Sequence, residues 1–162
     1  MSVANQYLSY SLAGEEFALD ITRVREVLDL TRITRIPRMP DYLRGVINLR
    51  GQVVPVIDQR SKFGLDRIDD TKDTRIIILE IAVGDEDVVL GAVADAVHEV
   101  MEIEPERIAP PPSMGGGLNS AYIRGMGRRE DDFVIILDVD RIFSTDELDA
   151  LAQVQLNCEQ SA

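Results

Sequence analysis

One 22-residue stretch occurs twice in this chain, and that repeat limits its possible folds more than any other feature. Tyr42 to Phe63 reads YLRGVINLRGQVVPVIDQRSKF and Tyr122 to Phe143 reads YIRGMGRREDDFVIILDVDRIF, aligned without a gap. Tyr42, Arg44, Gly45, Val54, Asp58 and Phe63 meet identical residues at Tyr122, Arg124, Gly125, Val134, Asp138 and Phe143. Two copies call for two units on one plan, in which the shared positions carry the fold. In the first copy Val46-Ile47 and Val53 to Ile57 flank a polar corner, Asn48-Leu49-Arg50-Gly51. β-branched runs joined through Asn and Gly predict two strands and a turn, where Gly51 takes φ > 0 at no steric cost. The copies differ most at this corner, which is Arg128-Arg129-Glu130-Asp131 in the second. The corner is therefore where the units are expected to differ in use. Arg50 has no acidic neighbour in sequence and is expected to be free for a partner molecule.

A second echo extends the duplication. Val24-Arg25-Glu26-Val27 resembles Val97-His98-Glu99-Val100, and each follows an apolar hairpin. Alternation predicts strands at Gln6–Leu12, Phe17–Leu19, Arg75–Val83, Asp87–Ala94, Ala96–Ile103 and Phe133–Val139. Asp20 is a cap for a short helix with Ile21, Val24, Val27 and Leu28 on one face; Thr22–Leu28 also alternates as a strand, and both readings put Val24 on an apolar face. Pro105–Leu118 is a connector rich in Pro and Gly. Ser144-Thr145-Asp146-Glu147 opens a C-terminal helix through about Gln155 with a capping box. About nine or ten short strands at this spacing predict an all-β architecture of two small barrels side by side, each of about five strands.

The 162 residues include 45% hydrophobic but only 5% aromatic and no Trp, so the core is aliphatic. The formal charge of −12 disfavours nucleic acid and anionic membranes as partners. Charge is unevenly spread: Arg32, Arg35, Arg38, Arg44 and Arg50 share their stretch with one acid, Asp41, while acids gather at 66–73, 85–87 and 130–132. Cys158 is the only cysteine, which excludes a disulfide framework and fits a reducing compartment. No basic start followed by an apolar segment signals export. The longest uncharged run, Ile108 to Ile123, is broken by Pro110-Pro111-Pro112 and Gly115-Gly116-Gly117 and cannot span a membrane. A cytoplasmic location is expected.

Catalytic residues are expected to be none. His98 is the only histidine, so every Ser–His or Cys–His pair would depend on it, and it has no second His or Cys for a metal. Asp58 and Asp138, each at a strand end, fit caps of the following turn better than acid–base groups. Gly115-Gly116-Gly117 lacks the Gly-Lys-Ser/Thr ending of a phosphate loop. The Arg-rich stretch lacks interleaved aromatics for stacking bases. The chain reads as a binding module without cofactor or metal. A barrel-type nucleic-acid or translation-associated binder is the alternative, and the acidic charge counts against it.

Asn48-Leu49-Arg50-Gly51 followed by Pro55-Val56-Ile57-Asp58 and Arg60, with Gly45 upstream, resembles the signature of the CheW family of chemotaxis coupling proteins. The resemblance runs from Tyr7 to about Leu151 and includes both V-x-E-V pieces and Tyr122-x-x-Gly125; Gln59 departs from the Leu usual before Arg60. It implies two intertwined five-stranded SH3-like barrels sharing a hydrophobic core, with a C-terminal helix. The expected domain spans 5–151, its second lobe roughly 75–140, with a tail at 152–162. The implied function is non-enzymatic: an adaptor between chemoreceptor cytoplasmic tips and the regulatory domain of the histidine kinase CheA. On its own the adaptor is expected to be a monomer, without nucleic-acid binding or direct membrane insertion, recruited to membrane-bound receptor arrays by its partners. Partner contacts are implied for Val24, Glu26, Asn48, Arg50, Gly51, Val97 and Val100. Gly45, Gly91 and Gly125 match positions whose backbone shape partner binding needs. The three valines suit an apolar groove for a receptor helix, and equally suit ordinary core.

Overall fold

The computed structural model describes residues 5–66, 69–83, 85–110, 122–129 and 132–160. Its strands are β1 (Asn5–Leu12), β2 (Glu15–Asp20), β3 (Val24–Asp29), β4 (Leu43–Leu49), β5 (Gln52–Asp58), β6 (Arg75–Val83), β7 (Glu86–Ala94), β8 (Ala96–Ile103), β9 (Ile108–Ala109), β10 (Ile123–Arg129) and β11 (Asp132–Leu137). Helices are short except the last: α1 (Gln59–Lys62), α2 (Val139–Ile142) and α3 (Thr145–Gln160). The fold is all-β with short helices, as expected.

Two sheets form, ordered β8-β1-β2-β11-β10-β9 and β3-β6-β7-β5-β4. Both close by the same device. In the first, β8 and β9 are consecutive pieces of one bent stretch, joined through a 3₁₀ turn at Pro105–Arg107, and they hold opposite edges. In the second, the chain leaving β3 reaches the far edge, where Thr34 exchanges two backbone hydrogen bonds of 2.8 Å with Val46 in β4. Closure of this kind leaves few free edges for unwanted pairing. Each sheet also holds one parallel pair, β11 with β2 and β5 with β7.

The lobes do not follow the halves of the sequence. The first hairpin, β1–β2, completes the barrel of β8–β11, and the later hairpin, β6–β7, completes that of β3–β5. The stretch 75–140, expected to build the second lobe, is thus divided between both. The segment after Asp20 shows a further difference from the helix reading. Asp20 accepts from the Thr22 amide at 2.9 Å, but what it caps is one 3₁₀ turn, Ile21–Arg23. Residues Val24–Asp29 then pair with β6. A ladder along a sheet edge satisfies more backbone groups for this β-branched run than a two-turn helix would. The C-terminal helix begins with the expected capping box, Ser144 and Glu147 each accepting from the other's amide at 3.1 and 2.9 Å. It continues to Gln160, so residues 152–160 of the expected tail are helical.

Alternation sorts the core into three parts. Ile76 and Ile78 on β6 point into one barrel with Ile47, Val54, Val56, Val89 and Val93. Tyr7, Ala18, Ile103, Val134 and Ile136 fill the other. Between the barrels, Tyr10, Phe17, Ile77, Leu79, Leu90 and Leu137 pack with Phe63 at the end of α1 and with residues of α2 and α3. Strand β6 is buried on both faces, which explains its uninterrupted run Ile76-Ile77-Ile78-Leu79. Duplicated aromatics meet across the copies: Tyr42 packs on Phe143 at 6.0 Å and Tyr122 on Phe63 at 5.8 Å. In both copies the Tyr carbonyl accepts from the amide of the strand-end Asp, at 2.7 and 2.8 Å. Asp58 and Asp138 cap α1 and α2, as their positions suggested.

Candidate functional site

The polar corner joins β4 to β5 by a two-residue turn, with Leu49 opposite Gln52. Arg50 and Gly51 both have positive φ, +50° and +87°, the combination whose twist matches flanking strands. Gly51 adopts it freely; Arg50 does so at a conformational cost. Asn48 compensates locally, its Oδ1 accepting from the Gly51 amide at 2.8 Å.

Arg50 is not free. Its guanidinium spans the barrel seam and forks onto Glu26 in β3, Nη1 reaching Oε1 at 3.3 Å and a second bond joining Nη2 to Oε2. Since β3 and β4 are the two edges of this sheet, the pair ties the edges together. Glu26 has no sequence proximity to Arg50, so only barrel closure brings them together. Hydrogen bonding from Arg50 holds the Glu26 carboxyl below the usual range, and the same bond holds the Arg50 guanidinium above its own. Arg50 remains 70% exposed and Glu26 29%, so the pair faces solvent and contributes little to stability. Beneath it lies a small cleft of about 240 Å³ bounded by Arg25, Gln52 and Ile78.

Val24 begins β3 half-buried against the inter-lobe core; a register shift between it and Glu26 sets Val24 opposite Leu79 and Glu26 opposite Ile78. Val97 packs at the margin of that same core from β8, in the other lobe. Val100 differs: it is 50% exposed. Val24 and Val97 thus border the lobe junction, and Val100 offers open apolar surface on an edge strand. The glycines have internal reasons. A Cβ on Gly45, whose φ is +152°, would sit 2.3 Å from the Thr34 carbonyl oxygen. On Gly125 it would sit 2.8 Å from the Ala109 carbonyl oxygen. Each lets the chain that closes its barrel cross at backbone distance. A Cβ on Gly91 would meet Ile76 at 2.8 Å inside the barrel.

Sequence reasoning missed three polar links at the lobe junction. Tyr10, 0% exposed, donates to Gln59 Oε1 at 2.5 Å, and Gln59 Nε2 donates to the Val93 carbonyl at 3.1 Å. Burial pushes the Tyr10 phenol far up, despite its bond to Gln59. Arg60 forks onto Asp95 at 2.5 and 3.3 Å, and Asp95 also accepts from the Ala13 amide at 2.9 Å. Lys62, only 10% exposed, pairs with Glu147 of α3 at 2.5 Å beneath the rings of Tyr42, Tyr122 and Phe143. Desolvation pushes the Glu147 carboxyl up, but the bonds from Lys62 and Ser144 outweigh it and hold it below the usual range. The repeat carried a signal for two of these: Gln59 and Lys62 align with the buried Val139 and Ile142 of the second copy.

His98 lies on exposed β8, sharing a 2.5 Å hydrogen bond with Ser11 Oγ. Among the described residues no group of His, Cys, Asp and Glu is placed to hold a metal. The side chain of Arg129, Glu130, Asp131 and the Gly115-Gly116-Gly117 run lie outside what is described. The surface that emerges is a bracing corner with apolar margins on both lobes.

Comparison with known proteins accords with that geometry. The family described as CheW-like domain matches residues 6–147. The chemotaxis protein CheW of Klebsiella aerogenes is 33% identical over 147 residues, 91% of this chain and 86% of the relative. The chemotaxis protein CheW of Helicobacter pylori is 34% identical, over 87% of this chain and 82% of the relative. The crystal structure of the scaffolding protein TtCheW from Thermoanaerobacter tengcongensis superposes with a TM-score of 0.78 at 38% identity, covering 88% of this chain and 89% of that one.

Proposed function

The chain belongs to the CheW-like domain family, and from that premise we propose that it works as an adaptor, coupling chemoreceptors to the histidine kinase CheA without turning over a substrate. A match that spans both intertwined lobes carries this reading, since relatives covering the same length are chemotaxis and scaffolding proteins. An adaptor needs rigid, separately addressable surfaces. Two closed barrels locked by one core supply them, and the second copy of the repeat carries Glu130 where the first has the seam residue Arg50.

Partner binding is assigned to Val24, Glu26, Asn48, Arg50, Gly51, Val97 and Val100. Val24, Val97 and Val100 give apolar contact to a receptor helix, as helix-in-groove recognition requires. Arg50 offers the donors its exposed fork leaves over to carboxylates or carbonyls of the partner. Gly45, Gly91 and Gly125 act indirectly, by setting the barrel walls that present these side chains. No described helix is long and apolar enough to cross a membrane, and the adaptor reaches membrane-bound arrays through its partners, as a cytoplasmic monomer.

Co-elution with the regulatory domain of a CheA-type kinase tests the proposal. A stable complex is expected, and failure with every such kinase of the host refutes it. Val97→Asp separates groove from core: retained fold with lost receptor binding supports the groove, and unfolding supports core.

A further inference from the structure

The Arg-rich stretch that precedes β4 is absorbed by neither the seam nor the lobe junction. It folds into a separate open cleft of about 690 Å³ on the first-copy barrel. Its lining mixes apolar side chains, Ile33, Ile36 and Met39 among them, with the guanidinium groups of Arg35, Arg38 and Arg44. Arg44 is engaged by Asp70, and Asp41 also lines the cleft. Arg35 and Arg38 are exposed and take part in no ion pair among the described residues.

The cleft is preformed. Paired hydrogen bonds between Thr34 and Val46 pin its inner wall, a crossing that Gly45 alone permits. Arg38 is held at φ +63°, a conformation a non-Gly residue keeps only where its surroundings over-determine it. Met39, 39% exposed, offers an adaptable apolar contact. On a chain of charge −12, two guanidinium groups without an ion pair among the described residues, set beside apolar side chains, form a local basin for negative charge.

We propose that this cleft docks an acidic peptide segment of a partner protein, seating its apolar side chains on Ile33, Ile36 and Met39 and its carboxylates on Arg35 and Arg38. Carboxylate matches the planar guanidinium fork. Nucleic acid fits less well, because among the described residues the lining has no aromatic ring on which a base could stack. The proposal goes beyond the coupling function and does not depend on it.

The test is a nuclear magnetic resonance titration of the isotopically labelled full chain with a synthetic peptide alternating glutamate and leucine. A second arm uses its glutamine counterpart, and a third inorganic phosphate. Binding of the acidic peptide is expected to move the amide signals of residues 33–44, to weaken as salt rises, and to fall about tenfold or more in Arg35→Gln/Arg38→Gln, the loss of about 1.4 kcal/mol per decade. Both arginines are exposed, so an unchanged spectrum of the free variant is expected to verify its fold. Equal affinity for the glutamine peptide, signal changes centred elsewhere, displacement by millimolar phosphate, or no binding at millimolar peptide would each overturn it.

Discussion

Replacing Gln59 by Leu is expected to destabilise this chain, because Tyr10 depends on it. The Tyr10 hydroxyl has no accessible surface and bonds Gln59 at 2.5 Å. Gln59→Leu leaves that hydroxyl buried without a partner and removes the 3.1 Å bond to the Val93 carbonyl. Leaving a buried polar group unsatisfied costs about 1–3 kcal/mol, and Leu regains part of that by apolar burial, so about 2 kcal/mol is expected. Tyr10→Phe orphans the Gln59 oxygen instead, and Gln59 keeps its bond to Val93, so about 1.5 kcal/mol is expected. In Tyr10→Phe/Gln59→Leu both partners become apolar together, and the loss returns to within about 1 kcal/mol of the parent. The coupling from the cycle is therefore about 2.5 kcal/mol or more. Urea unfolding followed by far-ultraviolet circular dichroism measures all four proteins at unchanged m-value. Single losses that simply add in the double variant, within about 0.5 kcal/mol, would refute the reasoning.

Gly45→Ala places a Cβ 2.3 Å from the Thr34 oxygen at φ +152° and is expected to cost about 3 kcal/mol, with Gly125→Ala similar. A change in urea midpoint equivalent to less than about 1 kcal/mol would argue against backbone crossing as their role. Lys62→Met leaves the Glu147 carboxylate among aromatic rings and is expected to cost about 2 kcal/mol, discounted for its partial exposure, and to speed amide exchange in α3. Adding Glu147→Gln should recover most of it; no recovery would mean that Lys62 acts by packing. Glu26 and Glu147 both titrate below the usual carboxylate range, so each favours the folded state above that range. Their contribution fades as the pH falls below the usual carboxylate range and through the lowered values, and Glu147→Gln should flatten the acid limb of a stability profile. Arg50→Ala should leave the urea midpoint nearly unchanged while weakening partner binding; a large stability loss would recast the seam pair as structural.

The sequence by itself determined the elements whose causes are local. Alternation set the strands, Asp58, Asp138 and the Ser144–Glu147 box set the caps, and Gly51 set the corner. The repeat marked the scaffold residues before any contact was known. It also held an unread clue, since Gln59 and Lys62 face Val139 and Ile142 in the other copy. Residues 20–28 showed where local reading fails: a short β-branched run satisfies helix and strand patterns alike, and the open edge of β6 decided between them. Only the tertiary structure decided the exchange of hairpins between barrels, because hydrophobic periodicity says which face is buried and not against which partner strand. The same holds for the corner. Arg50 looked free because its partner lies 24 residues away in sequence, and only the closing of a sheet edge on edge puts Glu26 within reach.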